Sequence, residues 1–468
     1  MTADRPAALY GSDAPEDVQR TALTDGSVPV AVYGLGKLGL PVATVYAERT
    51  GNVVGVDVDP SVVSQVNGGD SPVAREPGLD EALAEQVARG RLRATTDASE
   101  AASAAALHVV VVPTPLADGG DSDGGPDSDT DPKPDLSHLD AVTEAIGDGL
   151  DPGDAVFVEC TVPPGTCAER VRPRLAAESG LNPTQFGVAA CPERVSSGRA
   201  LDDVRGTHPR VVGGADDEST RVARLVYDTL VDSEVHPVAD AATAAASKVF
   251  EGVYRDVNIA LANELASQTA DLGIDVREAI AAANTQPYCD LHDPGPGVGG
   301  HCIPWYPHFL MDRVEGETPL LSTARAVNDG MPDYTAERLR EALAEEGVSL
   351  DGAEVLVLGL TYRADVAETR ATPARPLVDA LNAAGAAVVA TDPFVAADER
   401  EAETFAAPVV PPADATSRDP DAVVVVTPHR EFESLDWSAF DDPVVFDGRD
   451  ALDDGTPHPT YTLGRGWE

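Results

Sequence analysis

An apolar run, Val28–Val32, leads into Gly34-Leu35-Gly36-Lys37-Leu38-Gly39, and a helical stretch follows over 40–49. A second apolar run, Val53–Val58, carries Asp57 about 20 residues beyond the glycines. This pattern constrains the fold more than any other in the chain. Unbroken apolar strands are buried on both faces, and such strands run parallel with helices between them. Glycines at this spacing, between strand and helix, let the backbone approach a pyrophosphate at the positive end of the helix. Asp57 would accept from ribose hydroxyls and repel a 2′-phosphate, so NAD is expected rather than NADP. A tight turn without a ligand is the plain alternative for the glycines alone.

Val109–Val112 and Ala155–Glu159 read as later strands of the same sheet. Residues 240–285 are Ala-rich with helical periodicity and no strand signal. From Glu354 a second α/β pattern begins: Val355–Leu358, Gly359, a helix over 373–384, Ala387–Ala390, Asp392-Pro393 and Val423–Val426. The expected fold class is α/β: two Rossmann-like doubly wound parallel-sheet domains joined by an all-helical middle domain. The expected segments are a polar N-terminal extension over 1–27, with one short helix near 15–24, then domains over 28–235, 236–332 and 333–468. Residues 117–133 form an acidic low-complexity stretch. Its aspartates raise the question of calcium, but EF-hand spacing is missing and no Glu closes it, so a mobile solvated insertion is expected.

Asp and Glu number 80 against 33 Lys and Arg, for a net charge of −47. Such a surface excludes nucleic acid and anionic lipid as partners. Periodic Val, Ile, Leu and Ala argue against disorder, and the acidity fits a folded protein of a salt-accumulating halophile, where molar salt screens carboxylate repulsion. Only Lys37, Lys133 and Lys248 are lysines. Where arginine has replaced lysine almost everywhere, a surviving lysine marks a place for a compact, titratable amine. Five cysteines with no CxxC pair argue against a disulfide framework and a zinc site, so no metal is expected. No stretch approaches the ~18–20 apolar residues of a membrane span, and the N-terminus lacks a signal-peptide layout. A cytoplasmic protein is expected.

Residues 295–304 read Gly-Pro-Gly-Val-Gly-Gly-His-Cys-Ile-Pro. Cys302, with His301 beside it and Pro304 stiffening the exit, is placed to attack an electrophilic carbon. A buried structural cysteine beside a turn is the alternative for the thiol alone.

These motifs together give the chain a plain resemblance to the nucleotide-sugar dehydrogenase family, which oxidises the C6 alcohol of a UDP- or GDP-sugar to a carboxylate with two NAD. The resemblance covers about 28–460. It rests on Gly34–Gly39, Pro113-Thr114-Pro115, Glu159-Cys-Thr161-Val-Pro-Pro-Gly165, Pro192-Glu193-Arg194, Lys248, Asn258–Glu264, Gly297–Pro304, Gly359–Asp365 and Thr369-Arg370. It implies a homodimer built on the long middle helix, with NAD on the first Rossmann domain and the UDP-sugar on the second. It implies that Cys302 captures the aldehyde as a thiohemiacetal, that Glu193 activates water against the resulting thioester, and that Lys248 stabilises negative charge on oxygen. For Glu193 alone, a surface carboxylate paired with Arg194 is the alternative.

By the same resemblance Thr114 and Thr161 contact the cofactor with Gly34, Leu35, Gly36, Lys37, Leu38, Gly39 and Asp57, although either threonine could cap a helix. Arg194, Arg255, Asn258, Gly299, Gly300 and His301 are expected at the sugar or phosphates, as are His208 and Arg210, with structural roles the equal alternative for Arg255, Asn258, His208 and Arg210. Arg363, where the family usually has lysine, joins Arg370 as a diphosphate ligand.

Two positions depart from the family pattern. The residue four after the lysine is usually Asn and here is Gly252; the residue four after the cysteine is usually Asp and here is Tyr306. The paired change implies that the space left at Gly252 accommodates the Tyr306 ring, whose phenol keeps a hydrogen bond. Impaired hydrolysis, in a nucleotide-sugar-binding homologue with altered catalysis, is the alternative. The His-Cys-Ile-Pro loop and the Arg255–Glu264 helix resemble the UDP-N-acetylmannosamine branch, with UDP-glucose as the second substrate candidate.

Overall fold

The computed structural model describes residues 8–117, 132–196, 198–396, 402–452 and 456–467. The acidic insertion expected at 117–133 therefore lies, over 118–131, outside the described residues. Two compact units divide after Phe250.

In the first unit, helix α1 (Glu16–Thr24) precedes strand β1 (Val30–Tyr33), helix α2 (Gly39–Thr50) and strand β2 (Val53–Val56). Strands β3 (Leu92–Thr95), β4 (Leu107–Val110), β5 (Ala155–Val158), β6 (Gly187–Ala190) and β7 (Arg210–Gly214), helix α3 (Asp217–Leu230) and strand β8 (Val235–Pro237) follow. They build one eight-stranded sheet in the order β8-β7-β6-β5-β4-β1-β2-β3. Pairing is parallel except between β6 and β7, which run antiparallel, so the expected all-parallel sheet is mixed at that join. The first strand begins two residues later than the apolar run suggested. Alternate residues explain why that run is unbroken: Val30 and Val32 enter one core while Ala31 and Tyr33 enter the core on the opposite face. Fully burying each of these valines contributes about 1.5–3 kcal/mol.

The N-terminal stretch is less polar in structure than in composition. Leu9, Tyr10 and Leu23 join the first core, and the Tyr10 hydroxyl donates to Asp216 at 2.9 Å. The helix near 15–24 is present, and it packs against α3.

Helix α4 (Ala241–Ser267) spans the division between units. The second unit continues through α5 (Thr269–Leu272), α6 (Val276–Ala283), α7 (Cys302–Met311), α8 (Pro319–Asp329) and α9 (Met331–Glu345). Its α/β part holds β9 (Glu354–Leu358), α10 (Ala374–Ala383), β10 (Ala387–Thr391), β11 (Val409–Val410), β12 (Ala422–Val425), β13 (Val444–Asp447), β14 (Thr460–Thr462) and β15 (Gly466–Trp467). The sheet order is β11-β10-β9-β12-β13-β14-β15, parallel except at the final pair. Val355 and Val357 face one core, Leu356 and Leu358 the other.

Candidate active site

In the first sheet the chain steps outward from β1 to β3 and then returns to place β4 on the other side of β1. Ligands of such sheets bind beyond the carboxyl ends of the strands at this reversal. Every candidate of the first unit except Lys248, His208 and Arg210 follows the carboxyl end of a strand. Gly34 leaves β1 with φ 93°, and a Cβ on it would lie 2.3 Å from the Val111 carbonyl oxygen. A Cβ on Gly39 would lie 1.9 Å from the Gly34 carbonyl oxygen, so helix and turn pack backbone to backbone. Gly36 is different: a Cβ there meets no protein atom within 4 Å. Two glycines thus shape the turn, and the middle one leaves backbone open to an incoming pyrophosphate. Leu35 N–H donates to Asp57 Oδ2 at 2.8 Å, holding the acid at the end of β2, and Lys37 is exposed with Leu38 half-buried. These residues fit a dinucleotide.

After β4, the Thr114 hydroxyl donates to the Thr161 carbonyl at 2.7 Å, tying together the loops that follow β4 and β5. Neither threonine caps a helix. After β6, Glu193 is only 6% exposed, and its carboxylate accepts from Val195 N–H at 2.6 Å. It is not the solvated partner of Arg194, whose guanidinium donates to the Pro209 carbonyl at 3.2 Å. Burial pushes the Glu193 carboxyl up from its ordinary range, and the Lys248 ammonium opposes that shift. The unit thus brings Glu193 and Lys248 into electrostatic contact.

Two further candidates of this unit, Arg210 and His208, lie in different settings. Arg210 is buried; its guanidinium pairs with Glu159 and stacks 4.8 Å from the Tyr227 ring centroid. Tyr227 also donates to Glu159, at 2.5 Å. Arg210 is therefore a core ion-pair residue, because a buried carboxylate needs this cation. His208 is exposed, with its carbonyl accepting from Ser233 at 2.8 Å.

In the second unit the glycine-rich loop ends sooner than the sequence suggested. Cys302 is the first residue of α7 rather than the middle of a loop, and it is exposed. Pro304 stands in the first helical turn, where its missing N–H costs nothing, so it opens the helix instead of stiffening an exit. The Tyr306 hydroxyl donates to Cys302 Sγ at 3.2 Å. A Cβ at Gly252 would lie 2.4 Å from Tyr306 Cδ2 and 3.0 Å from the Cys302 carbonyl oxygen. The ring occupies the space that glycine leaves, as the paired departure implied.

Gly299 and Gly300 pack on Tyr362: an added Cβ would come within 2.6 Å of Tyr362 Cβ and 3.0 Å of its ring respectively. Gly300 N–H donates to the Arg370 carbonyl at 3.0 Å. Tyr362 is a centre that the sequence reading passed over. Burial pushes its phenol up, and Glu368, Arg363, Cys302 and Arg255 all lie close enough to act on it. Arg255, Arg363 and Arg370 are exposed, with Arg370 3.6 Å from Glu368. The His301 ring lies 5.3 Å from that of Trp305, tilted by 58°. Asn258 is committed elsewhere. Its amide donates to the Tyr254 hydroxyl and the Asp290 carbonyl and accepts from His292 N–H, so its bonds hold the 290–292 loop. Arg449, also unforeseen, donates to the Gly297 carbonyl at 3.2 Å and to Val426. Burial lowers its pKa to about 10, and the neighbouring Arg277 adds to the shift.

The second sheet repeats the first turn with one change. Gly359 follows β9 with φ 93°, and Leu360 N–H donates to Asp392 Oδ2 at 2.6 Å. Here, however, His429 Nε2 lies 2.9 Å from the same carboxylate, and both residues are buried. Asp365 N–H donates to His429 Nδ1, which leaves Nε2 as the donor, 2.9 Å from both Asp392 Oδ2 and Thr361 Oγ1. The acid that would meet a ribose in a dinucleotide site is closed off in this unit.

Among the described residues no helix is long and apolar enough to cross a membrane. Family models match three successive segments: the UDP-glucose/GDP-mannose dehydrogenase NAD binding domain over residues 28–231, the central domain over 242–330, and the UDP binding domain over 356–454. The UDP-N-acetyl-D-mannosamine dehydrogenase of Pyrococcus horikoshii is 34% identical over 428 residues, 90% of this chain and 96% of that protein. The NDP-N-acetyl-D-galactosaminuronic acid dehydrogenase of Ralstonia nicotianae is 36% identical over 75% of this chain and 79% of its own length. Among solved structures, that of the UDP-D-ManNAc dehydrogenase from Pyrococcus horikoshii superposes with a TM-score of 0.82 at 32% identity, covering 94% of this chain and all of that one.

Proposed function

The chain belongs to the UDP-glucose/GDP-mannose dehydrogenase family, and from that premise we propose that it oxidises the C6 alcohol of UDP-N-acetylmannosamine to the uronate. The observation that carries the reading is Cys302, an exposed thiol at the start of a helix, hydrogen-bonded by Tyr306. Exposure leaves the sulfur within reach of a substrate carbon, as a nucleophile requires. The choice of sugar is supported by relatives named for N-acetylmannosamine that match nearly the full chain.

NAD, when bound, accepts a hydride from C6 in each of two oxidations. Gly36 offers open backbone to its pyrophosphate, and Asp57 offers carboxylate oxygen to its ribose. Cys302 captures the aldehyde formed in the first oxidation, so that the second leaves a thioester on Sγ. Lys248 supplies positive charge to oxygen as it becomes anionic. Glu193 takes the proton from the attacking water, and its raised pKa makes it the stronger base. Arg363 and Arg370, exposed and cationic, hold the diphosphate.

Two copies pair through α4. Phe250, Tyr254 and Leu261 recur at helical spacing on it and are 54%, 51% and 47% exposed, an apolar stripe suited to a twin. A cytoplasmic setting follows from the need for NAD and UDP-sugar together.

Initial rates with NAD and a panel of UDP-sugars in molar KCl test the substrate. UDP-N-acetylmannosamine should give the highest kcat/KM; a higher value for UDP-glucose would overturn the choice of sugar.

A further inference from the structure

We propose that Tyr306 is a catalytic residue of thioester hydrolysis, its phenol O–H holding the sulfur of Cys302 as that sulfur leaves. This inference rests on the reading of Cys302 as the nucleophile. Tyr306 follows Cys302 by four residues on α7, one helical turn, and its hydroxyl donates to Sγ at 3.2 Å. Packing fixes the aim of that bond. Tyr306 is 6% exposed, its ring lies 5.7 Å from that of Phe309, and its edge fills the place of a side chain at Gly252. A Cβ at 252 would meet both Tyr306 Cδ2 and the Cys302 carbonyl oxygen, so Gly252 and Tyr306 form a matched pair.

The chemistry of the donor decides its role. A phenol titrates near pH 10 in water, about three units above neutrality, so Tyr306 meets the sulfur as a proton donor and not as a base. A carboxylate at this position, which the family resemblance implies, would instead repel a thiolate. The sulfur of a thioester is a weak acceptor, whereas a thiolate accepts a charge-assisted bond. The Tyr306–Cys302 bond therefore strengthens as charge develops on Sγ, the condition for accelerating a step rather than merely binding its reactant.

The step balances without a further oxidant, both hydrides having already left. The water oxygen bonds to the thioester carbonyl carbon, and its proton passes to the general base. The C–S bond then breaks with its electron pair on Sγ, and the carboxylic acid gives its proton to solvent. Tyr306 keeps its own proton throughout. Other titratable groups nearby are His301, next in the chain, and Tyr362, with Arg255, Arg363 and Glu368 around it. Removing the Tyr306 hydroxyl leaves all of these in place.

Tyr306→Phe keeps the ring and deletes the donor, so it separates chemistry from packing. The protein is mixed with UDP-N-acetylmannosamine and NAD in molar KCl, NADH is followed by stopped flow, and quenched samples are weighed intact. The expected result is a burst of two NADH per active site at the wild-type rate, then turnover slowed by roughly tenfold or more, the loss of one hydrogen bond to a charged group. The acyl adduct should accumulate on Cys302. Gly252→Ala, which displaces the ring with its hydroxyl intact, should slow the same phase, and the double variant should be no slower than the worse single one. Adduct forming on Cys302 but clearing at the wild-type rate in Tyr306→Phe overturns the inference alone. NADH formation with no Cys302 adduct in either protein overturns the nucleophile reading, and the inference with it.

Discussion

Gly36 and Gly39 stand three residues apart in one turn, yet alanine should affect them in opposite ways. At Gly39 an added Cβ falls 1.9 Å from the Gly34 carbonyl oxygen, a backbone atom that cannot rotate away. Overpacking of this kind costs about 1–3 kcal/mol, and the rigidity of the obstacle places Gly39→Ala at the upper end. At Gly36 the added Cβ meets nothing within 4 Å. Its backbone does not need positive φ, so alanine should leave the fold intact or stabilise it by about 0.4–1 kcal/mol through the unfolded chain. The same methyl nevertheless stands where a pyrophosphate must approach the amides. Loss of one charge-assisted hydrogen bond, about 1.5–3 kcal/mol, corresponds to NAD binding weaker by roughly 10- to 150-fold. Thermal melts and NAD titration by intrinsic fluorescence, both in molar KCl, read the two effects separately. If Gly36→Ala bound NAD as tightly as the parent, the first turn would not be the cofactor cradle.

Two further outcomes are expected. Burial raises the Glu193 pKa above its ordinary 4.5, so the folded state holds this proton more tightly than the unfolded state. That stabilisation is complete below the ordinary value and is lost as pH rises through the raised one. Glu193→Gln should flatten this part of the melting profile; parallel profiles for the two proteins would refute the assignment. Leu261→Arg, placed in the exposed stripe of α4, should shift sedimentation from dimer to monomer while circular dichroism stays unchanged; an unaltered sedimentation coefficient would remove the stripe from the interface.

What the sequence revealed was local in character. The first glycine turn, with Asp57 in register, is written within one continuous segment, and the structure adds a separate reason for each glycine. The Gly252 and Tyr306 pair was legible because two departures, distant in sequence, matched in volume. Tyr362, Arg449 and the His429–Asp392 lock were not legible, because each acts on a segment tens of residues away and carries no local signature. Arg210 and Asn258 show the converse difficulty. A polar residue near a functional motif reads as a ligand contact until its own partners, the buried Glu159 in one case and the 290–292 loop in the other, account for its bonds. Cys302 was found by its glycines, but Pro304 and Pro307 disguised the helix that it begins.

The central claim is a four-electron oxidation through Cys302, and the count of NADH formed per UDP-N-acetylmannosamine consumed tests it most directly. The account predicts two for the parent protein and loss of the uronate product in Cys302→Ala. A ratio of one, or a Cys302→Ala variant that still makes uronate at the parent rate, would contradict it.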